Sequence, residues 1–243
     1  MNNELLFLSK NDIPFKEAQV NIHQPTIKEI SLIGEESFHI GCQFLNFSKD
    51  ILSEEDRTVL ADKSDFDIFM SIINGPQGVR YKTCVSLILT LLFPDFIFKF
   101  ANNKIILQKD DFTTSINSNN FNQFKNIVIN MFGLEQKEQE GKYNPSDGLA
   151  SKIAEKFEKR RQQLAKQKGE SLGKIAIFSR YVSILAVGNQ KDLNDLMEYT
   201  VYQLKDEFKR FQLKQSFDIY LQAKMAGAKD LDEVDNWMDD IHP

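Results

Sequence analysis

The chain reads as mainly α with a small antiparallel β element, an α+β protein whose C-terminal half is helical. Three observations predict this class. First, Leu193, Leu196, Met197, Val201, Leu204, Phe208 and Phe211 recur at steps of three and four, which places them on one stripe of a helix. Second, Phe96, Phe98 and Phe100 alternate with Ile97, Lys99 and Ala101. An Asn102–Asn103 pair separates them from Lys104–Gln108, the pattern of a β-hairpin near 96–108. Third, Leu134 to Gly148 (LEQKEQEGKYNPSDG) is polar and punctuated by Gly141, Pro145 and Gly148. The expected organisation is an N-terminal α+β domain over 1–135, a linker over 136–148, and a helical C-terminal domain over 149–243 with an acidic tail.

Taken in order, Phe15 to His23 alternates at Ala18, Val20 and Ile22 and predicts a short strand. Pro25 stands where a helix would begin. Ile27, Ile30 and Ile33 follow at helical spacing up to Gly34, and a second helix is expected over Glu35–Phe47. Ser53 and Ser64 each precede acidic residues, as helix starts do, and Phe66, Phe69, Met70 and Ile73 form one face after Ser64. Asn74-Gly75-Pro76 is a break, and Val79–Leu92 reads as a buried helix. A third short strand fits Phe112–Ile116. Asn119 or Asn120 then caps a helix over Phe121–Phe132. Beyond the linker, Ser151 opens a helix bearing Ile153, Phe157 and Leu164. Leu172–Val187 is apolar nearly all round and reads as a central helix. Asn189 or Asp192 starts the long striped helix. It continues through Phe217–Met225 and stops at Ala226-Gly227-Ala228.

Composition narrows the function classes. The chain has 243 residues, 42% of them hydrophobic, and 20 phenylalanines, which predicts an aromatic core. A net charge of −5 argues against a general nucleic-acid binder, which must neutralise phosphates. The most apolar run, Cys84 to Phe93, is far shorter than the roughly 20 residues a membrane helix needs. The N-terminus shows no basic region or cleavage site, so a reducing compartment and two free thiols, Cys42 and Cys84, are expected.

Catalytic patterns are missing. No Ser stands in a nucleophile elbow, and the glycines form no phosphate-binding loop. Cys42 lies three residues after His39, but the pair reads as a small apolar Cys beside an interfacial His, and two ligands do not make a zinc site. No cofactor is expected. Lys152, Lys156, Lys159, Arg160, Arg161, Lys166 and Lys168 make the segment 152–168 basic. No aromatics interleave there to stack bases, so it reads as a solvated face or a partner for the acidic tail. That tail carries Asp230, Asp232, Glu233, Asp235, Asp239 and Asp240 around the lone Trp237, and suits a partner-binding segment.

Two stretches resemble a known family. His23–Phe38 (HQPTIKEISLIGEESF) resembles a pattern in small proteins from the tail-morphogenesis region of Firmicutes phages, at Pro25, Thr26, Ile27, Glu29, Ile30, Ile33, Gly34, Glu35 and Phe38. The end of the chain (DIYLQAKMAGAKDLDEVDNWMDDIH) resembles the tail assembly chaperones of long-tailed phages. There the matching positions are Tyr220, Ala223, Ala226, Gly227, Ala228, Trp237, Met238 and Ile241. The resemblance implies a non-catalytic protein that coats the tape measure protein before tail tube subunits displace it. It implies the host cytoplasm as location and absence from the mature virion. Many such chaperones occur in short and long forms made by a frameshift, and Leu134–Gly148 would then mark the junction. Expected partners are the tape measure protein, the tail tube protein and a second copy of the chain. Neither nucleic acid nor a membrane is expected. Leu204, Phe208, Phe211, Tyr220, Trp237, Met238 and Ile241 are the expected contact residues. The alternatives are a nucleic-acid-associated accessory protein using 152–168, whose binding would be salt-sensitive, and a structural virion component such as a connector or baseplate part.

Overall fold

The computed structural model describes residues 4–49, 58, 60–75, 78–101, 103–134, 177–227 and 234–238. Helix α1 (Glu4–Leu8) leads into an antiparallel pair, β1 (Ile13–Phe15) and β2 (Val20–Ile22), with Phe15 opposite Val20. A 3-10 turn at Lys16–Ala18 and a left-handed Gln19, φ 55°, reverse the chain between them. The stretch from Phe15 to His23, expected as a single short strand, instead spans the end of β1, the turn and β2. Its alternation carried across the turn because Ala18, Val20 and Ile22 are all buried.

Helix α2 (Ile27–Ile33) opens on a capping box: Thr26 Oγ1 accepts from the Glu29 N–H, and the Glu29 carboxylate accepts from the Thr26 N–H at 2.7 Å. Gly34, at φ 84°, ends α2 and starts α3 (Glu35–Leu45) without an intervening loop. Ser64 and Asp67 form a second capping box at α4 (Asp65–Asn74), and α5 (Val79–Leu92) follows the break at Gly75. Strands β3 (Ile97–Ala101), β4 (Lys104–Lys109) and β5 (Phe112–Ile116) make an antiparallel meander in the order β3-β4-β5. Phe100, Ile105 and Ile116 lie in register across its inner face. Asn120 starts α6 (Phe121–Phe132) but does not cap it through its side chain. Its amide instead pins the preceding turn, accepting from Asn117 N–H at 2.8 Å and donating to Ser115 O at 2.9 Å.

The C-terminal helices are α7 (Ile177–Gly188), α8 (Leu193–Met197) and α9 (Val201–Met225). The helix expected to run unbroken from Asn189 or Asp192 is thus divided. Asp192 caps α8, and Thr200 forms a capping box with Gln203 to open α9. The break is enforced from outside: the Ile27 N–H donates to Tyr199 O at 2.8 Å, and Thr26 and Thr200 form an antiparallel bridge. The described part of the expected central helix is one-sided. α7 buries Phe178, Val182 and Leu185 and leaves Val187 82% exposed.

Helix α6 holds the middle of the core. Phe121 meets Phe66 and Phe69 of α4 at ring distances of 4.8 and 5.2 Å. Phe124 meets Phe15 of β1 at 5.9 Å and Phe93 at 6.0 Å. Phe132 packs edge-on against Phe38 of α3 at 4.8 Å, and Phe38 reaches Phe178 of α7 at 5.6 Å. Buried residues from Phe7 to Leu204 form one continuous cluster, so core residues from both sides of the expected division pack together. The segments expected as the linker 136–148, the basic helix 152–168 and the helices beginning at Ser53 and Ser151 lie outside the described residues.

Polar contacts fix the C-terminal helices to this core. Lys205 of α9 donates to Phe132 O and Gly133 O, both at 2.9 Å, satisfying the last carbonyls of α6. Glu35 accepts from the Phe178 N–H at 2.7 Å. Glu207 of α9 accepts from Lys191 and Asn189, each at 2.8 Å, tying the α7–α8 loop to α9. Burial alone would push the Glu207 carboxyl up, but hydrogen bonds from Lys191, Asn189 and Tyr199 hold it below the ordinary range. Burial would likewise lower Lys191, and its bonds to Glu207 and Tyr199 raise it.

Two outcomes follow. A Cβ added at Gly41 would stand 2.5 Å from Ile88 Cδ1 and 2.8 Å from Cys84 O, where α3 crosses α5. Gly41→Ala is therefore expected to force the two helices apart and cost about 1–3 kcal/mol, read by denaturant titration. Glu207, depressed in the folded state, contributes stability that is present above the unfolded-state value of about 4.3 and is lost as pH falls through the folded value. Lys191, raised, keeps its contribution at neutral pH and loses it only at alkaline pH. Glu207→Gln should destabilise the protein by about 1 kcal/mol at pH 7, and the gap should close in thermal melts as pH falls through the folded value.

Candidate functional site

Helix α9 carries most of the residues expected to meet a partner, and the structure sorts them by depth. Leu204 is 0% exposed and belongs to the core with Val201 and Tyr202. It was expected on the binding face because it continues the apolar stripe, but that stripe turns inward at this end of the helix. Phe208 is half-buried and stacks on Tyr181 of α7, ring centres 3.9 Å apart. Phe211 is half-buried as well and rests on Gly188, where an added Cβ would stand 2.5 Å from its ring. These three residues fasten α9 to the fold.

Among the described residues, none of α9 beyond Phe211 packs against the core cluster. From Gln212 to Met225 every residue is exposed except Leu213, Phe217, Asp218, Tyr220 and Ala223, which are half-buried. Leu213, Phe217, Tyr220 and Ala223 follow each other at steps of four, three and three, and Arg210 precedes them by three, so all five share one face. Beside this stripe Ile219 is 65% exposed, Leu221 41% and Met225 87%. Arg210 pairs with Asp206 at 3.6 Å and donates through Nη1 to the carbonyl of Trp237 at 3.1 Å. Trp237 is half-buried, and Met238 is 65% exposed. The Met238 N–H donates to Asn236 Oδ1 at 3.1 Å, making a tight turn around Trp237. Ile241 lies outside the described residues.

Tyr220, Trp237 and Met238 therefore lie on the distal part of α9 or on the segment that touches the helix at Arg210. Ile219, Leu221, Met225 and Arg210 were not among the expected contacts. Their signal was present, since Leu213, Phe217 and Tyr220 extend the helical period past Phe211, but a period alone does not tell which part of a stripe has a core to face.

The other candidates read from the sequence resolve as packing. His39 meets the Glu35 carboxylate through Nε2 at 3.2 Å, and its ring lies 5.2 Å from that of Phe178. Cys42 and Cys84 are buried free thiols, and burial pushes both above the ordinary thiol range. Surface clefts also went unread, among them two of about 500 and 560 Å³ lined by described residues. One, of about 500 Å³, is lined by Asp12, His23, Asp95, Phe96, Lys109 and Phe112 among others. Within it His23 sits between Asp12 at 3.1 Å and Glu29 at 3.3 Å. The second, of about 560 Å³, lies beside the stacked Phe44 and Tyr81. Among the described residues no helix is long and apolar enough to cross a membrane.

No curated protein and no solved structure matches the chain. A family model described as the YomV second domain, a phage-derived family, matches residues 166–242. The match covers about a third of the chain and takes in α7, α8, α9 and the segment around Trp237.

Proposed function

We propose that the protein is a non-catalytic tail assembly chaperone of a long-tailed phage, which binds the tape measure protein, keeps it dispersed and helps recruit tail tube subunits. It would act in the host cytoplasm and be absent from the mature virion. The observation that carries this reading is the distal half of α9. A helix that has left its own core yet bears Ile219, Leu221 and Met225 in the open has a surface suited to another protein. A long helical partner with apolar faces would pack against it side by side, through anchors at helical spacing. The acidic balance of the chain, −5, would keep such a complex dispersed. The match of residues 166–242 to a phage-derived domain family supports the setting.

The test is co-expression with the long coiled-coil protein encoded nearby, followed by affinity pull-down and sizing. The expected result is a complex with several copies per partner. Ile219→Asp combined with Met225→Asp should weaken it by about tenfold or more, the scale of losing interface anchors, while thermal stability stays unchanged. A complex indifferent to this double substitution would remove α9 as the contact. Failure to form any complex, together with the protein's presence in purified particles, would replace the chaperone reading with that of a structural virion component.

A further inference from the structure

We infer that strand β3 is an open edge of the three-stranded sheet and takes an extended, acidic segment of a partner protein as a fourth strand. The inference is independent of the chaperone reading, which concerns α9. It begins with the hairpin. Ala101 pairs with Lys104 across the two-residue turn Asn102–Asn103, so that pair exchanges ladder hydrogen bonds. Bonded and non-bonded pairs alternate from there. Lys99 with Ile106 and Ile97 with Gln108 are bonded, whereas Phe100 with Ile105 and Phe98 with Leu107 are not. Phe98 and Phe100 therefore turn their N–H and C=O groups away from β4, toward the side where the sheet stops. Among the described residues no hydrogen bond reaches these groups from outside the sheet. The opposite edge differs. β5 lies beside the 3-10 turn at Lys16–Ala18, and the outward carbonyl of Ser115 already accepts from Asn120 at 2.9 Å.

The side chains set the chemistry of the missing strand. On the inner face Phe98 and Phe100 pack against the core yet stay half-exposed at the edge. Apolar residues at alternate positions of an added strand would cover them. On the outer face Ile97 is 78% exposed, and Lys99 and Lys104 are exposed. Lys82 of α5 stands over the Phe100 ring at 5.4 Å. Among the described residues none of these three lysines is in an ion pair. An edge that carries three cations without a carboxylate favours acidic residues between the apolar ones of its partner. A second copy pairing through the same edge would bring its own Lys99 and Lys104 to the junction, and like charges there oppose it.

The test uses the full-length protein and a short fluorescein-labelled peptide of alternating valine and glutamate, read by anisotropy and by amide exchange in NMR. In the free protein the amides of Phe98 and Phe100 should exchange readily while those of Ile97 and Lys99 are slowed. The peptide should slow Phe98 and Phe100 by about tenfold or more. Methylating one alternate set of peptide nitrogens should abolish binding, and methylating the other set should leave it, because a strand added at one edge uses one set of its N–H groups. Lys99→Glu combined with Lys104→Glu should weaken binding about fivefold or more, the scale of two exposed charges, with an unchanged thermal melt. Phe98 and Phe100 amides as slow as Lys99 in the free, dilute protein would overturn the open edge. Protection that grows with protein concentration would assign the edge to a second copy and overturn the acidic partner. No binding of the valine–glutamate peptide, equal binding of a valine–lysine peptide, or indifference to methylation would overturn the inference as well. None of these readouts involves α9, so their failure is distinct from loss of a tape measure complex.

Discussion

The fold depends on one constraint: the rings of Phe121, Phe124 and Phe132 must all find partners from a single helix of three turns. They point to α4, to β1 with Phe93, and to α3, so α6 sets where each of those elements can lie. Each buried ring contributes about 1.5–3 kcal/mol and tilted or edge-on pairs add more, which concentrates stability in this helix. The three-stranded sheet joins the same core through Ile105, Leu107 and Ile116, all completely buried.

The C-terminal helices reach this centre by different means. They add few rings and are joined to the N-terminal elements through main-chain groups that one side leaves open and the other satisfies. Lys205 serves the carbonyl end of α6, Glu35 takes an N–H of α7, and Tyr199 accepts from the entrance of α2. Buried main-chain groups without partners are costly, so these contacts specify position more than they add energy. They explain why α8 and α9 are separate helices. Keeping the helix continuous would cost the bridge at Thr26 and Thr200 and leave the Ile27 N–H without its acceptor.

Much of the fold was legible locally. The helix over Val79–Leu92, the strand over Phe112–Ile116 and the helix over Phe121–Phe132 fall at the expected residues. In each case period and flanking turn residues agree. What was hidden depends on contacts distant in sequence. The break before Thr200 falls between Met197 and Val201, a step of four that keeps the helical period intact across it. The Thr200–Gln203 capping box marked a helix start there but stood inside a pattern that needed none. The hairpin at Ile13–Ile22 was masked by three inward side chains that span its turn. The site divided along the same line. Tyr220, Trp237 and Met238 were readable as a tail and its helix, whereas the burial of Leu204 requires knowing that the core ends at the next turn. The bond from Arg210 to the Trp237 carbonyl has no signature in the sequence at all, because a guanidinium bonding a main-chain carbonyl asks nothing of the residue identity it meets.

The uneven anchoring of α9 has a mechanical consequence. Among the described residues its last packing onto the core is at Phe211, and Met225 lies fourteen residues further, about 21 Å along a rigid rod. Whatever is gripped near Met225 is held at arm's length from the body of the protein. Bulky bodies standing off a slender filament on stiff spacers can crowd along it without colliding. The reach of the helix then sets how densely copies can line a shared axis.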